Sequence, residues 1–383
     1  MKYSMEELFD LQMGKTPSRN NPDYWGTSDN KWISIADLSK CGKYICETKE
    51  CISDDAVEDS GISKIPANTV VMSFKLSIGK TAITAEEMYS NEAIMSFRDK
   101  HTTELMPEYI YYLLLAHDWD EGTNKAVMGK TLNKATLSKV EVGIHSIDKQ
   151  TEIVEVLNKV AAIIEARQQQ LQKLDELVKA RFVEFFGDMV YNQNGWKMVN
   201  LGSVCDVRDG THDSPKYFSE GYPLVTSKNV TSGRIDFAGC SLICKEDYDK
   251  INERSRVDFG DILMPMIGTV GKPVIVDVDV DFAIKNVALI KFYENSMVIN
   301  FFVRALLQSD YFDHAVISKI RGGTQKFIAL SDIRKLEIYL PPMDIQKKFA
   351  AFVEQTDKMK AAVQKALDEA QLLFDSLMQK YFG

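Results

Sequence analysis

Three Gly-Lys-Thr triplets, Gly14-Lys15-Thr16, Gly79-Lys80-Thr81 and Gly129-Lys130-Thr131, carry the residue types of a phosphate-gripping turn. A P-loop curls backbone N–H groups around phosphates and needs another Gly five positions before the triplet's own. Those positions hold Phe9, Phe74 and Asn124. The triplets therefore read as turns bearing a lysine. Cys41, Cys46 and Cys51 recur every five residues, and Cys240 and Cys244 lie four apart. Neither set forms a Cys-x-x-Cys pair or has a His nearby, so reduced thiols are a plainer reading than zinc. The histidines His101, His117, His145, His212 and His314 lack ligand spacing. Asp209-Gly210-Thr211-His212-Asp213 has acid–base residue types but no nucleophile motif beside it, and reads as a polar loop.

Asn21-Pro22-Asp23-Tyr24 is one proline short of the Asn-Pro-Pro-Tyr loop with which amino-methyltransferases hold a flipped base. No Gly-rich strand–helix turn for S-adenosylmethionine accompanies it. No nuclease constellation of carboxylates and lysine stands out either. The chemistry-bearing residues point to recognition or scaffolding, with no catalytic, cofactor or metal site in this chain.

The elements that would position such residues occur twice. Phe185-Phe186-Gly187 reappears as Tyr381-Phe382-Gly383, an offset of 196 that also pairs Asp148 with Asp344, Gln150 with Gln346 and Gly14 with Gly210. Small shifts in offset pair Gly129-Lys130-Thr131 with Gly322-Gly323-Thr324, Ile78-Gly79-Lys80 with Val270-Gly271-Lys272, and Asn91 with Asn286. Repeats of this kind precede every other reading of a fold. Each half opens with short β-type runs, among them Thr69–Phe74, Thr81–Thr84, Asp261–Met266 and Val287–Phe292, cut by Gly, Asn and Asp turns. One helix is expected among them in each half, Pro107–His117 and Ile299–Ser309. Each half closes on a stretch without Pro or Gly, 148–186 and 344–382, long enough for a helix of about 57 Å. Asp148 and Asp344 are the expected N-caps, and Gly187 and Gly383 the stops.

Both long stretches carry a seven-residue pattern. Leu157, Ile164, Leu171, Val178 and Phe185 form one row and Ile153, Val160, Arg167, Leu174 and Arg181 another. Val353, Lys360, Leu367, Phe374 and Tyr381 answer Phe349, Thr356, Val363, Ala370 and Leu377. In an antiparallel pair centred on itself, residue i faces residue 535 − i. That register brings Arg167 beside Asp368 and Glu369, Arg181 near Glu354 and Asp357, and Lys360 near Asp175 and Glu176. The expected organisation is α+β: a first module over 1–147, a helix over 148–187, a linker and second module over 188–343, and a helix over 344–383.

In order, these features resemble the specificity (S) subunit of type I restriction–modification systems. Gly14–Trp25 followed by Trp32–Leu38 looks like the opening of a target recognition domain. Ser77–Lys80 and Arg321–Ile328 look like its later signatures, and Leu340–Gln346 like the entry to a spacer helix. The first helix departs from this pattern, entered by Ile144–Gln150 without the double proline. The resemblance covers essentially the whole chain. It implies two globular target recognition domains separated by two long antiparallel helices, a coiled-coil spacer with approximate two-fold symmetry. Each domain would read one half of a bipartite double-stranded DNA site while the helices set the gap. Two methyltransferase (M) subunits and two restriction (R) subunits would be partners. S-adenosylmethionine, ATP and Mg would belong to those partners, with no cofactor in this chain.

Physical arguments agree. A duplicated chain matches two major grooves about one turn, ~34 Å, apart. The halves differ where loops would read bases: Arg19-Asn20-Asn21 has no counterpart around Lys216-Tyr217, so the target should be asymmetric. Candidate DNA contacts, chosen as cations near turns, are Lys15, Arg19, Lys75, Lys80, Lys130 and Lys134 in the first module. In the second they are Lys216, Lys228, Arg234, Lys272, Arg321 and Lys326. The alternative is a helical interaction scaffold without DNA specificity.

Net charge is −9, which argues against a nucleic-acid binder working alone. The imbalance sits mainly in residues 1–147, with 16 basic against 22 acidic residues. Partner subunits are then expected to supply much of the electrostatic grip. No apolar run reaches the ~20 residues of a membrane span, and the start lacks a signal-peptide segment, so a prokaryotic cytoplasmic location is expected.

Overall fold

The computed structural model describes residues 1–75, 77–119, 124–126, 129–230, 233–266, 273–316 and 328–383, with backbone alone at 124–126 and 129–131. The chain divides into two compact units, residues 1–167 with 366–383, and residues 168–365. Each contains a larger sheet, a three-stranded sheet and a two-stranded pair joining the ends of the module.

In the first unit a five-stranded sheet runs in the spatial order Phe9–Met13, Ile94–Asp99, Val70–Ser73, Thr81–Thr84, Tyr44–Ile45. Its pairs are antiparallel except the last. The middle strands Val70–Ser73 and Thr81–Thr84 are buried along their whole length, as strands covered on both faces must be. A three-stranded sheet places Trp25–Ile33 between Glu50–Ile52 and Tyr89–Ser90. Lys2–Ser4 pairs antiparallel with Glu141–Gly143, tying the two ends of the module together.

The second unit repeats this plan. A four-stranded sheet has the order Asp206–Asp209, Val287–Lys291, Ile262–Pro265, Val274–Ile275. A three-stranded sheet places Tyr222–Thr226 between Ser241–Ile243 and Ala283–Lys285, and Met198–Asn200 pairs with Glu337–Tyr339. The expected helices appear as Pro107–Ala116 and Asn300–Leu307. A further helix, Lys245–Ser255, escapes the sequence pattern because its mostly polar residues show no apolar stripe.

The long helices span Ile147–Phe186 and Met343–Phe382, 40 residues each. Asp148 and Asp344 lie within the first turn and are not the caps. The first helical bonds run from Gln150 N–H to Ser146 O and from Gln346 N–H to Pro342 O. The two aspartates instead favour the helix starts as charges near the positive dipole end. Gly187 ends the first helix at φ 75°, its N–H donating to Val183 O, where only a residue without Cβ is unstrained.

Within each unit the two helices run antiparallel. In the first, Leu157 shares the core with Met378. In the second, Lys360 Nζ lies 2.6 Å from Asp175 Oδ1, at the expected register. Arg181 reaches the same stretch of the other helix. It bonds Glu184 on its own helix at 2.6 Å and lies over the Phe352 ring, while Asp357 pairs with Arg304 at 2.8 Å.

The apolar rows drift. Leu157 and Val353 are buried, whereas Ile164, Leu171, Val178, Phe185, Leu367, Phe374 and Tyr381 are half-buried. Phe182, Phe186 and Met378, outside both rows, are buried. Seven residues at 3.6 per turn fall about 20° short of two turns, so over four heptads the inward place passes to the next residue. Ile153 and Leu157 thus recur 29 residues later as Phe182 and Phe186, and Phe349 and Val353 as Met378 and Phe382. That interval is about eight turns.

A buried glutamine pins each helix start. Gln150 Nε2 donates to Glu104 O and His145 O, and its Oε1 accepts from Met106 N–H. Gln346 does the same with Met297 O, Pro341 O and Ile299 N–H. Met106 and Ile299 are the N-cap residues of the two short helices, whose first orphan N–H is thereby satisfied.

Candidate nucleic-acid interface

The matched glycines mark matched loops. A Cβ on Gly14 would stand 1.9 Å from Ser90 O, and one on Gly210 2.2 Å from Ile284 O. Both positions need glycine for close backbone approach, and neither has positive φ. The next N–H in each, Lys15 and Thr211, donates to that same carbonyl. A loop leaves the sheet at this point in each module, and the two loops differ in chemistry.

In the first module the loop folds onto two tryptophans. Trp32 Nε1 donates to Lys15 O, and Trp25 and Trp32 meet edge to face at 5.0 Å. The Arg19 guanidinium lies 3.5 Å from the Trp25 ring centroid and binds Glu50 through both terminal nitrogens, at 2.7 and 3.0 Å. This fork pairs planar donors with planar acceptors. The Glu50 hydrogen bond raises the Arg19 pKa, and Arg19 lowers that of Glu50. Lys15 Nζ donates to the carbonyls of Ser60 and Gly61. Thr16 donates to Glu92, whose pKa falls through that bond and through the charges of Lys75 and Arg19. The charges of Arg19 and Lys75 both act on Glu92, and that of Arg19 is answered by Glu50.

The other candidates of this module lie apart. Lys80 Nζ donates to Ser39 Oγ. Gly79 turns at φ 87° against Trp119. Lys130 lies on the strand Gly129–Thr131 with only its backbone described, and Lys134 is exposed at the start of the helix Lys134–Ser138.

In the second module the loop after Gly210 carries exposed Lys216, Tyr217 and Phe218. Lys285 Nζ donates to Ser214 Oγ at 2.6 Å. His212 bridges Asn286 and the buried Asp209, whose other oxygen takes Arg254. Lys228 stands exposed in the turn Ser227–Val230, and Arg234 is exposed beyond it. Lys272, Arg321 and Lys326 lie outside the described residues. Sequence reasoning missed Lys285 and Asn286, which sit at a strand end far from the loop in sequence. It named His212 and set it aside, since its partners Asp209 and Asn286 converge only through the sheet.

Among the described residues, no three His, Cys, Asp or Glu side chains gather in a way that could hold a metal ion. The six cysteines are free thiols.

Comparison with known proteins decides the family. The type I restriction modification DNA specificity domain model matches residues 1–176 and again 193–370. The chain belongs to this family. The two matches fall on the two halves found by internal repetition. A curated relative, the MjaIX specificity subunit of a type I restriction enzyme from Methanocaldococcus jannaschii, is 25% identical over 98% of this chain and 91% of its own length. The MjaVIII specificity subunit of the same organism is 22% identical over 74% of this chain and 70% of its own length. The crystal structure of a type I restriction–modification S subunit from M. genitalium has the same fold, with a TM-score of 0.58 and 15% identity over 100% of this chain and 96% of that one. This specificity-family chain is α+β, in two modules of one plan.

Proposed function

We propose that this chain reads DNA for a type I restriction–modification complex without catalysing any step. The carrying observation is the pair of loops at Gly14 and Gly210: one structural position, used twice, with different side chains. Two equal frames with unequal loops suit a bipartite, asymmetric site, one half for each module. The cation candidates then divide into phosphate-positioning groups and, beside them, polar side chains for base edges. Pairing of Arg19 with Glu50 leaves the first module less charge for phosphates, which makes partner subunits the main electrostatic grip. Methyl transfer with S-adenosylmethionine, and ATP- and Mg-dependent cleavage, belong to M and R subunits.

The long helices offer a repeated docking surface for the M subunits. In the first unit Ile163 and Leu373 are half exposed and one residue from mutual register, and in the second unit so are Leu177 and Met359. The offset of 196 converts Ile163 to Met359 and Leu177 to Leu373. Exposed apolar residues kept twice at matched places fit two copies of one partner.

The experiment is methylome sequencing of cells with and without this chain, and with residues 1–147 exchanged for another first module. A bipartite methylated motif that depends on the chain, with one half changed by the exchange, is the expected result. Change in both halves would overturn the modular reading. Absence of any chain-dependent motif, together with no DNA binding in any assembly, would favour an interaction scaffold.

A further inference from the structure

The loop leaving Gly210 is held by a histidine with two acceptors. His212 Nδ1 lies 2.7 Å from Asn286 Oδ1, and Nε2 lies 2.9 Å from Asp209 Oδ2. With Asn286 Oδ1 toward the ring, a neutral imidazole, having one N–H, satisfies one such acceptor and an imidazolium satisfies both; a neutral ring is satisfied on both sides only when the amide turns Nδ2 toward it. The groups facing the ring come from three elements. Asp209 ends the strand Asp206–Asp209, with its side chain 8% exposed. Asn286 follows the strand Ala283–Lys285 at φ 54°, its N–H on Thr211 O. Arg254, from the helix Lys245–Ser255, takes the other Asp209 oxygen and opposes the ring's charge. The Asn286 and Asp209 bonds outweigh it and raise the His212 pKa from its ordinary value. Two residues beyond the ring, Ser214 accepts from Lys285. The matched residue of the first module is Thr16, bonded to Glu92, so the clamp belongs to the second module alone.

We propose that His212 is a positioning residue for the second half-site: its imidazolium orders the loop bearing Ser214, Lys216 and Tyr217, so that reading by this module takes up a proton. The inference rests on the DNA-reading function proposed above. His212 is not itself a base contact, since both ring nitrogens are occupied. Phosphates arriving near Lys216 and Lys285 favour the charged ring, and by linkage protonation favours binding. Binding is strongest at pH values below the His212 pKa and weakens as pH rises through it. The loss approaches about tenfold per pH unit only where free chain is neutral and bound chain charged.

The test uses the complex of this chain with its M subunits and a fluorescent duplex carrying the methylated motif, with each half scrambled in turn. Titrations run from pH 5.5 to 8.5. Wild type should weaken about threefold or more across this range, in duplexes that keep the second half-site. His212→Gln should flatten that profile while the first half-site contribution stays unchanged. Asn286→Asp, which faces Nδ1 with a second carboxylate, should move the midpoint to higher pH. A wild-type profile equal to that of His212→Gln, or a midpoint unmoved by Asn286→Asp, overturns the inference while leaving DNA reading intact. Failure of every form to distinguish the motif from scrambled duplex overturns both.

Discussion

Replacing Gln150 by Leu would keep the volume of a fully buried side chain and delete three hydrogen bonds. Glu104 O, His145 O and Met106 N–H, held at 2.9, 3.0 and 3.0 Å, would lose their partner in a site closed to water. An unsatisfied buried polar group costs about 1–3 kcal/mol. Three such groups, less the gain from a more apolar side chain and from relaxation of the carbonyls, give about 3 kcal/mol. For a unit of this size that lowers the melting temperature by about 6–12 °C. Gln346→Leu breaks the matching bonds to Met297, Pro341 and Ile299 in the other unit and should cost about as much. Scanning calorimetry with urea titration is the assay, and Gln379→Leu, at an exposed position, is the control. A loss below about 1 kcal/mol in both variants would refute the argument, since the glutamines would then be filling space and not satisfying backbone.

Gly14→Ala and Gly210→Ala each drive a Cβ into backbone carbonyls, Ser90 O and Ile284 O, that cannot swing away. Each should cost about 3 kcal/mol, read by calorimetry, and each should weaken discrimination at its own half-site. The thiols should separate by reactivity. Burial pushes Cys205 up to about 12, and burial first, then Asp236, pushes Cys240 up to about 11, while Cys46 is exposed. Iodoacetamide at pH 8 should label Cys46 first and spare Cys205 until the chain unfolds, as peptide mass spectrometry would show.

The long helices were legible because nothing in 148–186 or 344–382 interrupts them, and the repeat because backbone needs fix its anchors Gly14 and Gln150 and aromatic packing fixes Phe186. The strand at Thr81–Thr84 was found to the residue. Phe9–Met13 and Ile94–Asp99 were not, since their polar residues Asp10, Gln12, Arg98 and Asp99 dilute the β-type run. Heptad rows reached the seam at both ends, where Phe185 meets Phe349, and missed Phe182 and Phe186, which enter the core as a pattern of seven and a helix of 3.6 part company. The site was legible only as a place. Which cations are answered by carboxylates depends on pairs such as Arg19 with Glu50, 31 residues apart, and Lys31 with Glu86, 55 apart, brought together by sheet pairing. Turn signals cannot see across such distances. Asp209, His212 and Asn286 make the same point: the first two adjoin in sequence, but the residue that completes the clamp comes from another strand.

A turn of 3.6 residues makes the long helices tolerant of length change only in steps. One residue inserted between Asp175, which pairs with Lys360, and Phe182 would turn Phe182 and Phe186 by about 100° away from their aromatic partners Phe302 and Phe349 in the same unit. Four residues would misplace them by about 40°, and seven or eleven by about 20°. The partner helix is bound by the same rule between Val353 and Lys360. Any lineage that lengthens this part of the molecule must therefore do so in quanta, and in both helices together.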